Sequence, residues 1–252
     1  IVFSAICGNV FADNDTFNLS KLNNGIIQVN YSGEDSSHQK LMIKKGNEAV
    51  FYNLEQSGWY PLTLGNGDYT IGIFKNLEGT RYKSVSTTKV SVDMENPTEV
   101  YLNSNFMVKW DDDMESVKKA KELTEDLCNN REKALAVYEY LVETLKYDCS
   151  KVDKVDNKYI PDIEDVFKSR SGIFSDFAAL YAAMLRSVGV PAKFVKGYKD
   201  DIEAYHAWNQ VYLEDTEEWI NVDITYDSTL YSNDMKYGFE KDSDCYTVSG
   251  SL

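Results

Sequence analysis

The 252 residues carry 26 basic against 41 acidic side chains, a formal net charge of −15 at pH 7. That field repels nucleic acid and anionic lipid, so neither is expected as a partner. With 43% hydrophobic residues, the chain is long enough to bury a real core and to divide into two domains.

The first twelve residues, IVFSAICGNVFA, carry no charge and end in V-F-A before Asp13. They read as the tail of a secretory signal peptide cut after Ala12, which would place the mature protein outside the cell, secreted or at its surface. Ile6 sits where lipid attachment at Cys7 would want a small residue, and a buried N-terminal strand is the other reading of the run. No later run approaches the ~20 apolar residues of a membrane span, so insertion is not expected.

Residues 13–108 read as strands. GIIQVNY, KLMIKK, AVFYNL and GWYPLTL are β-branched or aromatic and separated by Gly, Asn, Asp and Ser. Asn66-Gly67 ahead of DYTIGIF is a hairpin signal, and YKSVSTTKVSV alternates with period two. Short strands at close spacing predict an immunoglobulin-like β-sandwich. His38 lies in a polar loop, EDSSHQK, where solvation is expected rather than ligation.

From residue 109 the period becomes helical. Met114, Val117, Ala120, Leu123 and Leu127 form one stripe, and Leu135, Tyr138, Leu141, Val142 and Leu145 a second. Pro161 is positioned to open a short helix, PDIEDVFKS. Gly172 precedes a longer one, and AKFVKGY, HAWNQVYL and EWINVDIT read as strands. The expectation for 109–252 is an α+β domain with an antiparallel sheet.

Once the leader is set aside, Cys128, Cys149 and Cys245 remain, an odd number without metal-ligand spacing. One disulfide plus a free thiol, or three thiols, both fit. The acidic stretches WDDDME and DIEDVF lack the spacing of a calcium loop. No metal or cofactor is expected.

Three segments in order, SGIFSDFAALYAAMLRSVGVPAKFVKGY, HAWNQVYL and WINVDITYD, resemble the transglutaminase-like superfamily, the papain-type fold common in exported bacterial proteins. The resemblance runs from about Met114 to Asp227. It implies a Cys-His-Asp site in which the histidine falls on His206 and the aspartate on Asp223. The helix that should begin with the cysteine reads Gly172, Ile173, Phe174, Ser175, Asp176, so the nucleophile position falls on Phe174.

The residues support a His–Asp pair on their own account. A turn over 214–217 sets Leu213 opposite Glu218 and Trp208 opposite Asp223, with His206 on the diagonal of the same face. Such an aspartate would hold the imidazole in one tautomer. A purely structural link between two strands is the bland alternative. Phenylalanine offers no nucleophile, and Phe174 falls in phase with Phe177, Ala178, Tyr181, Leu185 and Val188, which predicts a buried ring filling the pocket. Ser175, the fallback nucleophile, points about 100° away and is expected to cap the helix instead. Cys149 lies in the loop entering the domain, with no spacing that aims it at His206.

Three functional readings follow. In the first, the protein has lost catalysis and binds a peptide, protein or cell-wall polymer. In the second, Ser175 or Cys149 works with His206 and Asp223 in acyl transfer or peptide hydrolysis. In the third, the chain is a structural or adhesion module. Oligomeric state is left open by the sequence.

Overall fold

Alternating apolar residues zip the first part of the chain into sheets. The computed structural model describes residues 16–30, 39–54, 57–156 and 159–252. The leader, Cys7 and His38 lie outside the described residues. The chain divides into two compact units, one up to Val100 and one from Tyr101, ahead of the expected break at 108/109.

The first unit holds β1 (Phe17–Asn18), β2 (Ile26–Val29), β3 (Gln39–Lys45), β4 (Glu48–Asn53), β5 (Gly58–Pro61), β6 (Gly67–Glu78) and β7 (Arg81–Val92). They form two antiparallel sheets, β1-β2-β5 and β4-β3-β6-β7. Leu41 faces Ile73 and Ile43 faces Ile71 across β3 and β6, and all four are buried, so the alternation fixes the register. Ile27 and Tyr60 do the same across β2 and β5.

Asn66-Gly67 is not a hairpin turn. β5 pairs with β2 and β6 with β3, so the strands flanking this dipeptide are not partners. The Asn66 side chain instead clamps Met94, accepting from its N–H and donating to its carbonyl, each at 2.8 Å. Asparagine serves here through its amide rather than through its tolerance of positive φ.

The second unit is α+β. Its elements are α1 (Glu115–Leu123), α2 (Asn130–Thr144), β8 (Lys146–Tyr147), α3 (Cys149–Val152), α4 (Ile163–Ser169), β9 (Ser171–Gly172), α5 (Phe174–Ser187), β10 (Ala192–Lys199), β11 (Ile202–Leu213), β12 (Glu218–Val222), α6 (Ile224–Ser232) and β13 (Tyr246–Ser251). The antiparallel sheet runs β12-β11-β10-β13, and β8 and β9 make a short parallel ladder. Three features depart from the sequence reading. α4 begins at Ile163 rather than at Pro161, with Asp162 capping it by accepting from the Asp165 N–H. The strand read as EWINVDIT stops at Val222, because Asp223 caps α6 through the Tyr226 N–H. β13 was not anticipated.

Helix α5 is buried from Ser175 to Arg186, apolar on nearly every side, as an enclosed helix must be. It packs on β10 and β11 and against α1, α2, α4 and α6. Phe177, Leu180, Tyr181, Met184 and Leu185 are inaccessible, each contributing roughly 1.5–3 kcal/mol of transfer free energy. The Tyr181 hydroxyl meets the Ala134 carbonyl on α2 at 2.9 Å, which satisfies its one polar atom. The core therefore fixes where α5 begins.

Candidate functional site

The start of α5 is held by Asp176. Its Oδ2 accepts from the Ile173 N–H at 2.8 Å and from Lys151 Nζ at 2.7 Å, and its Oδ1 accepts from the Tyr159 hydroxyl at 2.7 Å. A carboxylate in the first turn satisfies a free backbone donor and complements the helix dipole. Burial and that hydrogen bond push the Tyr159 hydroxyl up to about 12, so it remains a donor. Gly172 is required by the same packing, since a Cβ there would lie 2.7 Å from the Asp176 carboxylate. The sequence reading gave the capping role to Ser175. Its side chain makes no hydrogen bond among the described residues, and the Ile173 N–H goes to Asp176 instead.

The His–Asp pair comes from the sheet. Leu213 opposes Glu218 and Asn209 opposes Val222, the register expected from a turn over 214–217. His206 Nε2 donates to Asp223 Oδ2 at 2.8 Å, with both side chains buried. The Tyr246 hydroxyl donates to the same oxygen at 3.0 Å, while Oδ1 takes the Tyr226 N–H at 3.0 Å. Asp223 is thereby committed on both oxygens, which locks the imidazole with Nε2 towards it. Nδ1 has no hydrogen-bond partner among the described residues. Trp208 lies nearly parallel to the imidazole, with ring centroids 6.3 Å apart, and the Tyr246 ring lies 5.0 Å from that of Trp208.

Phe174 is the first residue of α5, and its ring centroid lies 5.8 Å from that of His206. It is only partly buried, packed at the rim of the core rather than within it. The helical phase is right, but Phe174 is the first residue of α5 and its ring keeps part of its surface accessible. Ser175 is buried in the next position. Cys149 opens α3 and is exposed. The Asp148 N–H bonds the Gly172 carbonyl at 2.8 Å, which runs the start of α3 alongside the strand leading into α5. Cys128, Cys149 and Cys245 are all unbonded. Among the described residues no three His, Cys, Asp or Glu side chains converge as metal ligands would, and no helix is long and apolar enough to cross a membrane.

Two contributors escaped the sequence reading. Asp176 carried a readable signal, a carboxylate in the first helical turn. Tyr246 carried none, since it arrives 23 residues after Asp223 on a strand without a marked pattern.

Gly197 admits that tyrosine's strand. It pairs with His206 on one side and Val248 on the other, and a Cβ would lie 2.0 Å from the Thr247 carbonyl and 2.8 Å from the Trp208 ring. Gly197→Ala is expected to push β13 off the sheet, costing roughly 1–3 kcal/mol in urea unfolding and altering the near-ultraviolet dichroism of the Trp208–Tyr246 pair. Unchanged values on both counts would show that β13 does not need this approach.

Residues 117–224 match the model of the transglutaminase-like superfamily. That span contains Phe174, His206 and Asp223, so the site lies within the segment that is similar to this superfamily. The uncharacterized protein YebA of Bacillus subtilis (strain 168) is 30% identical over 136 residues, covering 52% of this chain and 18% of its own length. The chain thus spans less than a fifth of that relative. Among solved structures, a candidate cysteine protease from Cytophaga hutchinsonii is 18% identical, with a TM-score of 0.48 over 90% of this chain and 75% of its own. LapG of Legionella pneumophila is 15% identical, with a TM-score of 0.35 over 55% of this chain and 82% of its own.

Proposed function

We propose that this is an exported transglutaminase-like protein that has lost its nucleophile and binds a peptide or cell-surface polymer, with a β-sandwich domain (13–108) preceding the transglutaminase-like one (109–252). The observation that carries the reading is the Phe174 ring against the imidazole. His206 keeps its aspartate and has a free Nδ1, while the helix start beside it carries a hydrocarbon. An imidazole can activate a thiol or hydroxyl only within hydrogen-bond reach, and phenylalanine supplies neither. Binding is supported by Tyr198 and Tyr205, which are exposed and meet edge to face at 5.3 Å, Tyr205 being the neighbour of His206 on β11. Exposed aromatic pairs of this kind supply contact area at low entropic cost.

The reading with an active site rests on Ser175, whose hydroxyl is unbonded, or on exposed Cys149. Treatment with a thiol-alkylating probe and a fluorophosphonate, followed by mass mapping, separates the two. No adduct whose formation depends on His206 is expected. Labelling of Ser175 or Cys149 that vanishes in His206→Ala would sink the binding reading in favour of catalysis.

A further inference from the structure

The two edges of the sheet in the second unit are not alike. On the β12 side the chain itself covers part of the edge, where Lys241 bridges to Asn221 and donates its N–H to the Asn221 carbonyl at 2.9 Å. On the other side β13 pairs with β10, and no strand among the described residues pairs with its outer side. Thr247, Val248, Ser249 and Gly250 are all exposed, Val248 by 48%. A strand with one free side presents a row of unpaired N–H and C=O groups, which proteins commonly blunt with lysine, other charges or proline. Residues 246–252, YTVSGSL, contain none of these. The one interruption is a bulge. Lys196 pairs with Gly250 and Gly197 with Val248, so Ser249 is an extra residue without a partner on β10.

This edge is continuous with the site around His206. Tyr205 packs on Tyr198 at 5.3 Å, and Tyr198 pairs with Thr247. His206 pairs with Gly197, and Gly197 with Val248. Two rows therefore cross the sheet from β11 to β13, one beginning at an exposed aromatic pair and one at the imidazole. A strand added to β13 would lie roughly 4.8 Å beyond it and carry both rows one residue further. Tyr198 is 51% exposed, so apolar surface stands open two strand spacings from a residue seated beside the small Thr247, a span that a long side chain covers.

We infer that the free edge of β13 takes up an extended polypeptide segment as a fifth strand of this sheet. This rests on the binding reading above and narrows its ligand to a polypeptide backbone. Main-chain donors and acceptors recur along the edge at the strand rise of about 3.3 Å per residue, a spacing that another polypeptide matches and a polysaccharide does not. A second copy of this chain would bring the same charge of −15 to the contact, so the occupant is a neutral or cationic partner.

The test is amide hydrogen exchange of the full chain, read by mass spectrometry at about 150 mM salt, with the blocked peptide KTVTVTK at about 1 mM. Exchange in residues 246–252 is expected to slow about fivefold. The peptide KTVPVTK has the same charge but cannot complete the ladder, and should leave exchange unchanged. Ser249→Pro removes an edge donor without breaking a bond to β10, and is expected to weaken binding about tenfold, with Ser249→Ala within about twofold. Unchanged near-ultraviolet dichroism of the Trp208–Tyr246 pair shows that β13 stays in place in the proline variant. If it changes, the exchange pattern of the parent protein decides. No slowing in 246–252, or equal slowing by both peptides, overturns the inference. Slowing confined to the strands that carry Tyr198 and Tyr205 also overturns it, while leaving the binding reading in place. Slowing of 246–252 by chitohexaose and not by KTVTVTK would assign the edge to a glycan, and slowing that grows with protein concentration alone would assign it to a second copy. Either result overturns the inference.

Discussion

Replacing Phe174 by cysteine is expected to create a thiol that alkylates faster at neutral pH than a free cysteine, through a pKa below the ordinary value of about 8.5. The substitution puts sulfur at the first position of α5, where the helix dipole favours an anion. It also puts it beside an imidazole already oriented by Asp223 and carrying an unpartnered Nδ1. Both influences favour the thiolate, and an ion pair with the imidazolium would add to them. The measurement is the alkylation rate against pH, with Phe174→Cys/His206→Ala as the control. Loss of the low-pH reactivity in the double variant is the expected result. An ordinary profile, insensitive to His206, would show that the pair does not converge on position 174, and the proposed loss of a nucleophile would then have no site.

The structure revises what the same position contributes to stability. A ring buried on all sides would cost about 3–5 kcal/mol on truncation to alanine. Phe174 is only partly buried at the rim of the core, so roughly half the transfer value of a full phenylalanine, about 1 kcal/mol, is the better expectation. A modest cost makes Phe174→Cys a practical variant, because the protein should stay folded with its new thiol.

The helices and the His206–Asp223 pairing were legible because each rests on short-range rules. Apolar spacing placed α1, α2 and α5, and one turn length fixed the β11–β12 register that aligns the two side chains. What failed depended on partners distant in sequence. Ser175 looked like a cap, but Asp176 takes the Ile173 N–H while anchored by Lys151 of α3 and by Tyr159, residues that no local sequence rule ties to α5. Asn66-Gly67 carried a hairpin signal, yet its asparagine is used by Met94, and the sheet pairs β6 with β3. Tyr246 needed β13, whose pairing with β10 depends on Gly197 having no side chain. Local chemistry identified what each residue could do, and long-range pairing decided which of those options was used.

Arg186 is the position where a single substitution should cost most. It lies in the last turn of α5 with 2% of its surface exposed, and no carboxylate among the described residues pairs with it. Its guanidinium donates to three carbonyls: Nε to Ala192 at 2.9 Å, Nη1 to Asn103 at 2.8 Å and Nη2 to Leu252 at 2.8 Å. One side chain thus ties the end of the central helix to the start of β10, to the segment before α1 and to the residue following β13. Burial pushes the guanidinium down to about 9, which leaves it charged at neutral pH, and the delocalised charge suits neutral acceptors better than an ammonium would. Removing it strips the packing of a buried stem and takes the donor from the buried Ala192 carbonyl at roughly 1–3 kcal/mol. It also weakens two half-buried carbonyls, of which Leu252 keeps the Phe194 N–H at 2.7 Å. Relief of the buried charge's own desolvation offsets part of this. The net expectation for Arg186→Ala is a loss of about 3–5 kcal/mol, read as a lower urea midpoint. Arg186→Met keeps the stem's volume without the donors and should lose somewhat less, while Arg186→Lys retains a donor and should lose least of the three. A methionine variant as stable as the parent would show that the desolvation cost outweighs the three hydrogen bonds. In that case α5 would be held by its apolar packing alone.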